Sequence, residues 1–165
     1  MAPNILTNSD HEAVRRLWTL FRHEMSAFTG TLPDSYGRYR AGRLENALAG
    51  RPGWCSWQLT AGPHPVAFAV ARALDEPRHV LSSFFVVIPA RREGVGAMLA
   101  TAVIDSHPGR WSVAYQDENT AAAQFWRHVA EGLDPDWWHE HRPVPGQPDL
   151  VPDSWIHLDT TQPCP

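Results

Sequence analysis

The stretch Phe84-Phe85-Val86-Val87-Ile88-Pro89-Ala90-Arg91-Arg92-Glu93-Gly94-Val95-Gly96-Ala97-Met98-Leu99 decides how this chain is read. Residues 84–88 are apolar with no polar alternate, as in a strand covered on both faces, so residues 80–88 form the middle of a sheet. A loop with two arginines and two glycines follows at once. A helix comes next, with Val95, Met98, Leu99, Ala102 and Val103 on one face. Glycines at such a junction let an anionic group approach the backbone. The first amides of the helix lack intrahelical acceptors and point at it, and the helix dipole adds positive potential. An ordinary glycine-containing loop with solvated arginines shares this pattern, so the flanking elements must decide between the two.

Upstream, Ser9-Asp10-His11-Glu12 is a capping box that starts a helix. Val14, Leu17, Trp18, Phe21, Met25 and Phe28 then recur at spacings of three and four, and Gly30 ends the helix. A second helix is expected over residues 34–49, with Tyr36, Tyr39, Leu44 and Leu48 as its apolar set, although Gly37 and Gly42 weaken it. From Trp54 the period changes to two, and a turn cluster at residues 61–65 joins this run to a strand over residues 66–73, making an antiparallel hairpin. Downstream, residues 111–115 read as a strand and residues 119–129 as a helix with Ala122, Phe125, Trp126 and Val129 inward. Residues 137–142 alternate as a strand would, and residues 154–158 form the last strand.

Composition narrows the function. The chain has 165 residues, 43% of them hydrophobic and 19% charged, which suits a packed interior and excludes a solvating, disordered chain. The net charge of -4 argues against a nucleic-acid partner. All 14 basic residues are arginine, so a phosphate loop of the kind that needs a lysine is excluded. The position and shortness of the glycine pattern also disfavour a dinucleotide-binding fold. Only Cys55 and Cys164 could form a disulfide, no apolar run has membrane-spanning length, and the first residues have no signal-peptide character. A soluble protein of a reducing cytoplasm, with no membrane partner, is expected.

Arg91, Gly94 and Gly96 match the motif of Arg or Gln, two residues, Gly, one residue, then Gly or Ala. With the strand before it, the later strand at residues 111–115 and the helix from Asn119, the chain resembles the GNAT superfamily of acyl-CoA-dependent N-acetyltransferases. The resemblance implies a mixed α/β (α+β) fold with a mostly antiparallel central sheet and helices on both faces, as one domain over residues 1–165. It implies an enzyme that moves an acetyl group from acetyl-CoA to a primary amine, on a small molecule or a peptide, within a ternary complex. Arg91, Arg92, Glu93, Gly94, Val95, Gly96 and Ala97 would hold the pyrophosphate. Backbone groups of Phe85, Val86 and Val87 would bind the pantetheine arm as an added strand, and Asn119 and Trp126 would lie along the coenzyme. A homodimer is left open. Two departures stand out. The loop at residues 89–94 is one residue shorter than the family's usual spacing, and Trp126 stands where many members carry a tyrosine that protonates the departing thiolate. That second departure keeps a non-catalytic acyl-CoA-binding or sensing module as the alternative.

No motif marks the catalytic groups. Glu24 is the candidate base, because it lies on the edge of the first helix's apolar stripe, where desolvation favours a basic carboxylate. Tyr115, close to Glu118 in sequence, is the candidate acid in place of the missing tyrosine. Trp18, Tyr36 and Trp57 are candidates for lining an acceptor cleft, and core burial competes with that role for each. His139 and His141 would share one face of a strand, but two imidazoles with no further ligand at metal spacing are read as a solvated face, with no metal expected.

Overall fold

The period-two runs are strands of one sheet. In the computed structural model, which describes residues 3–7, 11–144 and 151–161, these are β1 (Pro3–Thr7), β2 (Cys55–Ala61), β3 (His64–Arg72), β4 (Arg78–Val86), β5 (Arg110–Tyr115), β6 (Trp138–Arg142) and β7 (Asp153–Asp159), in the order β1-β2-β3-β4-β5-β7-β6. Every neighbouring pair is antiparallel except β4 and β5. A parallel pair needs a crossover, which the helix α3 (Val95–Asp105) supplies.

Helices α1 (His11–Thr29) and α2 (Gly42–Leu48) cover one face of the sheet. Val14, Leu17 and Trp18 of α1 pack with Leu44 and Ala47 of α2 over Phe68, Val70 and Phe85. Helices α3 and α4 (Thr120–Leu133) cover the other face, where Leu99, Val103, Trp126 and Val129 meet Leu81, Trp111, Val113 and Ile156. Each fully buried side chain of this size contributes about 1.5–3 kcal/mol. The expected mixed fold with helices on both faces is therefore present. No helix among the described residues is long and apolar enough to cross a membrane.

One irregularity shapes the site. β4 and β5 pair only from Arg78 with Arg110 to Leu81 with Val113. At that point Ser82 is an extra residue against β3, since Ala71 opposes Leu81 and Val70 opposes Ser83. Such a bulge bends its strand. Beyond it β4 stays with β3 as far as Val86, while β5 stays with β7 as far as Tyr115. A fork opens between β4 and β5.

Several expectations change. The second helix begins at Gly42 rather than Asp34, because Asp34 Oδ1 accepts from the amides of Tyr36 and Arg38 and Gly37 takes φ +74°, closing a turn that competes with a helix. Tyr36 is 80% exposed on that turn, and Trp18 and Trp57 are buried in the two separate cores, so the three do not line one cleft. β4 ends at Val86, and a 3₁₀ turn (Ile88–Ala90) leaves Ile88 71% exposed. The inward face of α3 is Leu99, Ala100, Val103 and Ile104, with Met98 exposed. β1 was not anticipated. Gly30 ends α1 at φ +63° as expected, whereas Ser9 of the capping box and Cys164 lie outside the described residues.

Candidate functional site

The loop from β4 to α3 leaves a row of donors open. Arg92 sits at φ +67° and Gly94 at φ +77°, with Glu93 at negative φ between them. Alternation of this kind turns successive amides to one side as an anion-binding nest. Left-handed φ is strained for arginine, and such strain concentrates at functional loops. Arg91 N donates to Ile88 O, and Met98 N donates to Gly94 O. Between them, the amides of residues 92–97 have no hydrogen-bond partner among the described residues, and Gly94 provides no side-chain cap. Six consecutive free donors at a helix N-terminus fit a diphosphate.

The two glycines serve different ends. A Cβ at Gly94 would meet nothing within 4 Å, so that position is glycine for its φ. A Cβ at Gly96 would lie 3.1 Å from Phe125 Cε2 and 3.5 Å from Val86 Cγ2. The space above Gly96 is thus taken by an aromatic ring, and this glycine lets α3 pack on α4.

The fork presents backbone as well. Val87 N donates to Val66 O, so the alternation of an antiparallel ladder turns the amide and carbonyl groups of Ser83 and Phe85 toward β3 and those of Phe84 and Val86 into the fork. Of Phe85, Val86 and Val87, then, only Val86 faces the gap. The sequence reading missed Phe84, because the bulge and register that decide it are not visible in composition or period. Phe85 instead packs its ring under α1 against Phe21 and Phe68. Phe84, Phe125 and Trp126 form an aromatic wall on the α4 side, with ring centroids 4.8–5.5 Å apart.

Arg91 folds back rather than reaching over the nest. Its Nε donates to Val86 O at 2.8 Å, and its Nη2 lies 2.6 Å from Glu24 Oε2. Both side chains are 38% exposed, so Glu24 sits in a half-open ion pair and not in the desolvated setting expected for it. Glu24 lines a groove of about 620 Å³ between α1 and the end of β4, together with Leu20, His23, Ala27, Val87 and Ile88.

Tyr115 ends β5 beside the fork. Its side chain is 3% exposed, and its hydroxyl is buried with no hydrogen-bond partner among the described residues. Trp126 is 5% exposed in the same core. Asn119 caps α4, its Oδ1 accepting from Ala122 N at 3.1 Å, which leaves its amide nitrogen free for other contacts. His139 and His141 share a face with ring centroids 6.3 Å apart, but His141 is paired with Asp117. Among the described residues no three His, Cys, Asp or Glu side chains are grouped as a metal site.

The acetyltransferase (GNAT) family model matches residues 17–130, and the chain belongs to that family. No curated protein matches the sequence. Solved structures share the fold at low identity. An acetyltransferase of the GNAT family from Staphylococcus aureus Mu50 has a TM-score of 0.69 at 15% identity, over 97% of this chain and 100% of that one. The PaiA N-acetyltransferase from Thermoplasma acidophilum, solved in complex with coenzyme A, has a TM-score of 0.67 at 11% identity, over 96% and 99%. A ribosomal-protein alanine N-acetyltransferase from Escherichia coli has 0.66 at 13%, over 99% and 97%.

Proposed function

We propose that this chain, acting as one domain, transfers an acetyl group from acetyl-CoA directly to the amine of an acceptor in a ternary complex. The observation that carries this reading is the run of six free amides at residues 92–97, opening beside the unpaired edge of β4. Those amides suit the pyrophosphate, and the amide and carbonyl of Phe84 and Val86 suit the pantetheine arm as an added strand. The bound thioester supplies an activated acyl carbon, and the chain's own part is positioning and proton handling. The Val86 carbonyl can accept from the coenzyme beside Arg91 or in its place, and an Arg91 released from it would be free to reach toward the phosphates. Glu24 lines the groove on the α1 side and takes the proton from the acceptor amine. Tyr115 supplies a proton to the departing sulfur, in place of the phenol that Trp126 does not offer. A buried hydroxyl without a partner is costly, and a function at that position accounts for its retention.

The alternative is an acyl-CoA-binding module without turnover, favoured by Trp126 at the usual tyrosine position. Calorimetry with acetyl-CoA, together with thiol release over a panel of amines, separates the two readings. Binding with release is expected, and binding without release would favour the module. Tyr115→Phe removes an unsatisfied hydroxyl, so it should leave stability unchanged or slightly higher. It should nevertheless lower kcat by about a hundredfold or more, in the range of lost acid–base catalysis. Glu24→Gln should lower kcat to a similar extent with acetyl-CoA affinity retained. A wild-type rate in either variant removes that residue from the mechanism.

A further inference from the structure

Positive charge gathers on the α1–α2 face of the fork. Arg43 of α2 donates from Nη1 to the carbonyl of Ser82 at 3.1 Å, and Ser82 is the bulge residue at which β4 leaves β5. Arg43 is an exposed residue, yet crowding around its guanidinium, and then the charges of Arg72 and Arg22, hold it below the usual arginine value, against a smaller opposing pull from Asp153. Arg72 ends β3 on the same face as Phe68 and Val70, under the helix pair. Arg22 lies on the edge of α1 opposite Glu24, and its Nε is buried with no hydrogen-bond partner among the described residues. Ser83 Oγ, on the neighbouring residue of β4, is likewise buried and unpartnered.

Nearby carboxylates do not neutralise this group. Glu45 is held by Arg15, Glu24 by Arg91 and Asp34 by Arg38. Among the described residues, none of Arg22, Arg43 and Arg72 has a carboxylate within ion-pair distance. Asp153 accepts from Gln116 Nε2 at 3.3 Å. The charges that act on Arg43 are thus two guanidinium groups and one carboxylate, in a chain whose net charge is -4. The exposed part of this charge is answered by water, but the buried Arg22 Nε is a donor left unmade in a positive field, and an anion would answer both. The planar fork of an arginine is matched best by a carboxylate or a phosphate.

We infer that the acceptor carries, besides its amine, an oxyanion (a carboxylate or a phosphate) that Arg22 and Arg43 bind at the mouth of the fork, with Arg72 adding to the positive field. This rests on the acetyl-transfer reading above and narrows its acceptor to small zwitterionic or anionic amines. The cluster lies where β4 and β5 part, so an anion held there leaves the rest of the molecule to extend toward the gap.

The test compares matched acceptors by thiol release from acetyl-CoA: free amino acids against their carboxamides, and phosphoethanolamine against ethanolamine. The best charged acceptor should exceed its neutral counterpart in kcat/KM by tenfold or more. That preference should shrink as salt rises. It should fall to near parity in Arg22→Gln and in Arg43→Gln, while calorimetry shows acetyl-CoA affinity retained in both. The two pairs distinguish a carboxylate from a phosphate. Neutral acceptors that turn over as well as charged ones, or a preference that survives both substitutions, would overturn the inference. Where Arg22→Gln does not fold, Arg22→Lys, which keeps the charge and loses the planar fork, and Arg43→Gln carry the comparison. Should no amine release thiol, the acetyl-transfer reading fails separately. Titration of inorganic phosphate against the Nε–Hε resonance of Arg22, assigned by its loss in Arg22→Lys, then decides the anion site: a saturable shift supports it, and an unmoved resonance ends it.

Discussion

The two helices that share one face of the sheet begin in opposite ways. α4 starts on Asn119, whose side chain accepts from Ala122 N and so closes over one of the first amides; the N-cap carbonyl accepts in both helices, from Ala123 N in α4 and from Met98 N in α3. α3 starts on Gly94, which has no side chain to offer, and the amides of residues 92–97 stay open. A side-chain cap contributes about 1 kcal/mol, and α3, whose start follows the free edge of β4, forgoes it. A closed start serves the fold. An open start beside a strand edge keeps donors for a ligand.

Making the open start resemble the closed one should have the largest effect. Gly94→Asp brings a capping carboxylate and a negative charge into the nest, and like charges held together at a binding surface cost several kcal/mol. Acetyl-CoA affinity measured by calorimetry should fall by at least about tenfold. Unchanged affinity would mean that the nest does not hold the phosphates.

Gly96 should respond differently, because its Cβ would meet Phe125 at 3.1 Å rather than a ligand. Gly96→Val should destabilise the chain by about 1–3 kcal/mol in denaturant unfolding, as overpacking does. Phe125→Leu in the same chain should recover part of the loss. An affinity defect without any loss of stability would mean that the coenzyme, and not Phe125, needs the space at the Gly96 Cα.

Opening the closed start should have the smallest effect. Asn119→Ala should lower stability by about 1 kcal/mol and leave acetyl-CoA affinity as it was. A drop in affinity instead would show that the amide nitrogen of Asn119 reaches the coenzyme, as the family resemblance implies.

The nest was readable because it consists of backbone. Glycine spacing after an apolar run marks the conformation directly, and no distant residue is needed to complete it. The stripe of Val14, Leu17 and Trp18 and the helix from Asn119 were readable for the same reason, being local in sequence, although the capping role of Asn119 came only from the structure. Local competition also explains the error over residues 34–41, where the Asp34 side chain offers the backbone a turn that a count of apolar spacings does not weigh.

Other features of the site depend on contacts between residues far apart in the chain. Arg91 and Glu24 lie 67 positions apart and meet only because α1 crosses the end of β4. The bulge at Ser82 is a property of register between two strands, and it alone turns Phe84 and Val86 into the fork. Arg22, Arg43 and Arg72 come from three elements, each with an ordinary surface arginine in its sequence pattern, and only packing gathers them around an unsatisfied nitrogen. The sequence by itself determined most of the elements, though not β1 or the start of α2, together with the open helix start and the family, since these follow from periodicity and local backbone chemistry. Tertiary structure decided which backbone groups face the gap, what Glu24 touches and where the charge collects, because burial and electrostatic fields depend on distances in space that spacing along the chain does not encode.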